Sequence, residues 1–282
     1  VIAMNKADLV TVPENIPENM IFVSARENGN IHALKEKIAA LVRSVPPARE
    51  LIADLVSPGD AVVLVTPIDS AAPKGRLILP QQQTIRSLLD AGCIPVVTRE
   101  TELARTLSLL REPPALVVTD SQAFGPVSRD VPEDIPLTSF SILFARYKGQ
   151  LEQMVRGAAA LDHLRDGDTV LISEGCTHHR QCGDIGTEKL PRWVRQYTGR
   201  DIRFVFTSGG EFPENLSPYA LIIHCGACML GEREMQSRLR RAAEQCIPVT
   251  NYGIAIAQIH GILDRALRPF SALHAEWKKQ QQ

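Results

Sequence analysis

Short apolar runs of strand length alternate with segments of helical period along most of the chain, and this alternation restricts the possible folds more than any other feature. Residues 61–66, 94–98 and 115–119 read as strands, with helices over 82–91, ending at Gly92, and over 102–110. Further along, a helix over 142–164 precedes strands over 169–173, 202–206, 220–224 and 247–250, with helices over 190–197, 232–245 and 254–267. Strands separated by helices are joined by right-handed crossovers, so the sheets are mainly parallel and the class is α/β. The stretch Val45-Pro46-Pro47 interrupts this pattern and reads as a linker. Three domains are therefore expected, over residues 1–46, 47–140 and 141–282. Only about three main strands fit into 47–140. A sheet that small leaves exposed edges, which predicts pairing with a second copy and a homodimer. LLDAGCIPVVT (88–98) and AAEQCIPVTN (242–251) both pass from a helix through Cys-Ile-Pro-Val into a strand. They read as one αβ joint used twice, not as a sequence repeat.

Composition narrows the partners. Among 282 residues, 31 Lys and Arg stand against 32 Asp and Glu, so no basic footprint for nucleic acid or an anionic membrane exists. The longest apolar stretches, such as 61–65 and 219–223, fall far short of the ~20 residues that span a bilayer. Six cysteines are too few for a disulfide framework in a chain of this length. A CxxC beside a histidine points instead to metal or redox chemistry in a reducing compartment, with the cytoplasm as the expected location. The sequence opens on Val1 inside an apolar run, with no charged segment or cleavage pattern before it, and reads as a chain whose beginning is missing.

The first strand-like run ends at Asn5-Lys6-Ala7-Asp8, and a second, 20–23, ends at Ser24-Ala25. A turn at 28–30 follows, and then Ile31, Leu34, Ile38, Leu41 and Val42 recur at helical spacing. An Asp carboxylate accepts from the guanine N1 and N2 donors, an Asn side chain bonds N7, and a Lys stem covers the base. This ordered pair of loops resembles the guanine-recognition half of P-loop GTPases. It implies that Asn5, Lys6, Asp8, Ser24 and Ala25 are the remnant of a GTP site. No GxxxxGK[ST] occurs, so hydrolysis by this chain alone is not expected.

A second constellation is more specific. Cys176 and His178 follow the strand 169–173, while His224, Cys225 and Cys228 follow the strand 220–224. In a parallel sheet both sets reach the carboxyl edge, where open α/β folds place their ligands. Cys225 and Cys228 also precede a helix, whose amino-terminal dipole favours thiolates. Three thiolates and a histidine suit a Cys3His zinc site. Three cysteines equally suit a 4Fe-4S cluster whose fourth iron is open or held by His or carboxylate. A redox CxxC and a pair of inert buried thiols are the weaker readings. Cys93 and Cys246, each before Ile-Pro at a helix-to-strand joint, read as buried packing residues. Cys182 could approach the same site, His179 reads as a surface residue, and Gly209-Gly210 could admit a ligand to the backbone.

With TPIDSAAPKGRLILPQQQ (66–83) between them, the GTPase-like tail and the CxH…HCxxC motif resemble the HydF family of FeFe-hydrogenase maturation GTPases along the whole chain. The resemblance implies a GTP-binding domain, a dimerisation domain and a cluster-binding domain. It implies a 4Fe-4S cluster on Cys176, Cys225 and Cys228, with His178 and His224 as ligands or neighbours. The role it implies is that of a scaffold and carrier. Such a protein receives a diiron precursor made with radical S-adenosylmethionine maturases and delivers it to the FeFe-hydrogenase apo-protein. GTP and Mg would belong to the full-length protein, because the P-loop, switch segments and magnesium ligands are absent from this sequence. The alternative of a different class is a GTP-regulated protein with a structural zinc site.

Overall fold

The computed structural model describes residues 1–13, 15–43, 49–68, 77–175, 184–226 and 230–280. Cys176, His178, His179, Cys182 and Cys228 lie outside them. The chain forms two compact units, Val1–Ala48 and Arg49–Gln282. No helix among the described residues is long and apolar enough to cross a membrane.

In the first unit β1 (Ile2–Met4) pairs in parallel with β2 (Met20–Phe22), Ile2 opposite Met20, and α1 (Ile31–Arg43) follows. Both loops of the GTPase-like pair therefore leave the same edge.

Among the described residues the second unit holds two four-stranded sheets, each wholly parallel. The first contains β3 (Ala61–Val65), β4 (Ile94–Thr98), β5 (Leu116–Thr119) and β6 (Leu137–Ser139), in the order β4-β3-β5-β6. Helices α2 (Leu79–Asp90), α3 (Leu103–Leu109) and α4 (Phe124–Asp130) connect them. The interior strands β3 and β5 are near-continuous Val and Leu, as strands covered on both faces must be. The expectation of three strands falls one short, because Leu-Thr-Ser at β6 is too brief to show a period.

The expected helix over 142–164 is broken in two, α5 (Phe140–Tyr147) and α6 (Leu151–Ala158). Gly149 takes φ 70°, its N–H bonds Arg146 O at 2.8 Å, and Gln150 N–H bonds Ala145 O at 2.8 Å, which closes α5 with a left-handed glycine cap. The apolar period runs through the break and hides it.

The second sheet holds β7 (Thr169–Ser173), β8 (Arg203–Thr207), β9 (Leu221–His224) and β10 (Val249–Asn251), in the order β10-β9-β7-β8. Its connecting helices are α7 (Leu190–Thr198) and α8 (Glu232–Glu244). The expected helix over 254–267 is likewise two, α9 (Tyr252–Ile259) and α10 (Leu263–Leu267), split where Gly261 takes φ 69°. Helix α11 (Ser271–Gln280) closes the chain.

The two sheets have the same topology, since in each the second strand is an edge, the first and third lie inside, and the fourth is the other edge. Residues 134–151 stand opposite residues 246–263 without a gap. Ile135/Ile247, Pro136/Pro248, Thr138/Thr250, Ile142/Ile254, Ala145/Ala257, Gly149/Gly261 and Leu151/Leu263 are identical pairs. Hydrogen bonds repeat with them. Ser139 Oγ accepts from Ile142 N–H at 3.3 Å and Asn251 Oδ1 from Ile254 N–H at 2.8 Å, each capping the helix after its fourth strand. Ahead of the first strands, Asp60 accepts from Ser57 N–H and Asp168 from Arg165 N–H, both at 2.8 Å, beside glycines at φ 92° and 88°.

A true repeat thus exists, but not between the two Cys-Ile-Pro-Val stretches. Cys246 itself occupies the left-handed cap, with φ 56°, whereas at the first joint Gly92 occupies it and Cys93 comes one residue later. Cys246 is consequently exposed, which corrects its reading as a buried residue. Cys93 is buried as expected, its sulfur donating to Ser57 O at 3.3 Å, and burial pushes its thiol up.

The halves are fastened reciprocally. Helix α6 packs on β10 and α10 packs on β6. Helix α6 lies so close that a Cβ at Gly157 would fall 2.0 Å from Val249 O.

Candidate metal centre

Strands β7 and β9 run side by side, with Ser173 opposite His224, so their carboxyl ends open at one level. Buried Val170, Leu171 and Ile172 and buried Leu221, Ile222 and Ile223 hold the two strands in place. Just past them Cys225 N–H bonds Ser173 O at 2.9 Å, and Gly175 N–H points at Cys225 Sγ at 3.0 Å. Of the sequence-based metal candidates, the structure describes His224 and Cys225 and places them at this mouth. Cys176, His178 and Cys228 fall outside the described residues, and among those described no group of three or more metal-ligating side chains converges. The donor chemistry at Cys225 fits a metal: the residue is partly exposed and its sulfur accepts the Gly175 N–H.

His224 is 1% exposed. Its Nδ1–H donates to Cys225 O at 2.9 Å, which leaves Nε2 to accept from Arg238 Nη1 at 3.1 Å. Burial lowers its pKa to about 4, and the Arg238 charge pushes the same way against the Cys225 carbonyl. The ring is neutral at physiological pH.

Arg238, on α8, is 2% exposed. It also donates to Ser173 Oγ at 3.4 Å, Gly209 O at 2.8 Å and Glu234 Oε1 at 2.9 Å, with its guanidinium 5.0 Å above the Phe212 ring. One sequence signal could have found it: Met235, Arg238, Leu239 and Ala242 share the buried face of α8. Gly209 therefore serves the site through its carbonyl. Glu174, 3% exposed, accepts from Tyr252 Oη at 3.2 Å, and burial together with that carboxylate pushes the phenol well above its ordinary value. Neither residue stood out in the sequence. Gly186 makes room for the pair, since a Cβ there would lie 2.3 Å from Tyr252 Oη.

The five residues expected from the sequence to recognise guanine also come together. Asn5 Oδ1 accepts from Lys6 N–H at 2.8 Å and from Ala25 N–H at 3.1 Å, while Ser24 Oγ donates to Asp8 Oδ1 at 2.6 Å. Lys6 sits at φ 67°, which lifts its backbone out of the strand direction. Asn5→Ala removes the acceptor that stitches the loops. It is expected to speed hydrogen exchange of the Ala25 amide about tenfold, the equivalent of roughly 1 to 2 kcal/mol. Unchanged exchange would show that the stitch carries no stability.

Residues 51–149 match the family model of the hydrogen maturase F dimerization domain, and residues 152–269 match that of the hydrogen maturase F tetramerization domain. The boundary between the two matches falls at the cap made by Gly149. No curated protein matches the chain.

Proposed function

The chain belongs to the hydrogen maturase F family, whose role lies in hydrogenase maturation, and on that premise we propose that it is a cluster-binding scaffold and carrier. Cys176, Cys225 and Cys228 hold a 4Fe-4S cluster in this reading. When bound, that cluster supplies an iron with a coordination position open to cargo. The cargo is the diiron precursor, received with the help of radical S-adenosylmethionine maturases and passed to the FeFe-hydrogenase apo-protein. GTP acts through Asn5, Lys6, Asp8, Ser24 and Ala25, with Mg and the phosphate-binding loop supplied by a longer form of the protein. The observation that carries the proposal is Cys225, held at the mouth of β9 with the Gly175 N–H aimed at its sulfur. Analysis of protein purified without oxygen tests it. Iron and sulfide at about four each per chain are expected for one such cluster. One zinc per chain without iron would favour the structural zinc site instead.

Self-association follows from the same family membership, and β4 is the edge suited to it. Among the described residues it has a single neighbour, β3, and it exposes Ile94 (57%) and Val97 (45%). Apolar edges of this kind pair with other strands, and lysine is a natural way of blocking them. The double variant Ile94→Lys, Val97→Lys is expected to sediment as a smaller species than the parent at micromolar concentration. An unchanged mass in light scattering would place the contact elsewhere.

A further inference from the structure

The repeat provides an internal control for the metal edge. In both halves the amide after the third strand bonds the last residue of the first strand, Asp120 N–H to Val65 O at 3.2 Å and Cys225 N–H to Ser173 O at 2.9 Å. In both halves the residue after the first strand bonds the end of the second, Thr66 N–H to Thr98 O and Glu174 N–H to Thr207 O, each at 2.9 Å. The frame is therefore the same, and only the second copy carries the cysteine motif. The position of His224 is Thr119 in the first copy, and that of Ser173 is Val65, so among the described residues the frame closes without a histidine and without a buried guanidinium. Arg238 and His224 are additions to the copy that has the cysteines. Arg238 ties the mouths of all three strands together through Ser173, Gly209 and His224, and His224 passes this hold to the carbonyl of Cys225 itself. Both nitrogens of the ring are occupied in doing so.

We propose that Arg238 is a positioning residue for the metal edge, acting through His224, and that His224 is the relay in this clamp and not a metal ligand. This rests on the cluster-binding reading above. The buried guanidinium, offset in part by the half-exposed Glu234, also places positive charge behind a site whose thiolates are negative, so it favours the reduced state of whatever metal they hold.

The test has two arms, both on the full chain. In the metal-free protein, 15N-histidine NMR is expected to show His224 with the proton on Nδ1, and an Nε2–H tautomer overturns the clamp. In the reconstituted protein, Arg238→Met is expected to lose iron to a chelator about 10- to 100-fold more readily, the usual effect of removing an outer-shell partner, and to reduce at a more negative potential. Arg238→Lys keeps the charge without the fork. It is expected to lose iron more readily while its potential stays near the parent value, and it decides the matter if circular dichroism shows Arg238→Met unfolded. Parent-like iron retention in either folded variant, or a parent-like potential in folded Arg238→Met, overturns the proposal. A parent chain that takes up no iron refutes the cluster reading itself, and the NMR arm still decides the clamp.

Discussion

Arg265→Met is expected to lower the melting temperature of the Arg49–Gln282 unit by roughly 10 °C. Arg265, on α10, is 7% exposed and donates to Ser128 O at 2.8 Å, Val131 O at 2.9 Å and Pro132 O at 2.6 Å. A helix of the second half thereby satisfies the chain that leads into β6 of the first. Glu133, mostly exposed, lies 3.4 Å from the guanidinium and adds little by itself. Methionine matches the stem but offers no donor, so the carbonyls of Ser128 and Val131 lose the guanidinium and Pro132 O keeps only the Ile135 N–H at 3.1 Å. Such a loss costs about 3–5 kcal/mol when the site is buried, and a unit of this size shifts by about 2–4 °C per kcal/mol. Calorimetry checks it, and a shift under about 2 °C would mean that water replaces the guanidinium at no cost.

Cys225→Ala is the other large effect, and it falls on the metal, not on the fold. The sulfur receives the Gly175 N–H, and loss of that hydrogen bond is expected to cost about 1 kcal/mol of stability. The proposed cluster binding by Cys176, Cys225 and Cys228 is expected to vanish. Cys93→Ala and Cys246→Ala are the controls. Cys93 is buried beneath Ser57 and Cys246 is exposed at a helix cap remote in sequence from the motif, and both variants are expected to keep the cluster.

Most of the architecture is readable from residue pattern. The runs at Ala61–Val65 and Leu221–His224 announce buried parallel strands, and the rule that ligands gather at carboxyl edges places Cys225 beside the end of β7 before any coordinates are known. What is not readable has physical causes. Leu137–Ser139 is too short for a period, and Gly149 and Gly261 sit in phase with the apolar stripe, so the breaks that they cause leave the pattern intact. The repeat is masked because its identities are sparse and its strand connections differ in length. Arg238 falls on the same helical face as Met235, Leu239 and Ala242, a signal that the many other charges of α8 obscure. Glu174 and Tyr252 are likewise paired only by folding, since their sequence neighbours give no sign of the contact.

The most direct measurement is electron paramagnetic resonance of the reduced protein after anaerobic reconstitution with iron and sulfide, on the parent chain beside Cys225→Ala. A reduced 4Fe-4S signal near one spin per chain in the parent, absent from the variant, is the expected result. A parent without that signal, or a variant that retains it, would contradict cluster binding at the carboxyl edge of β7 and β9.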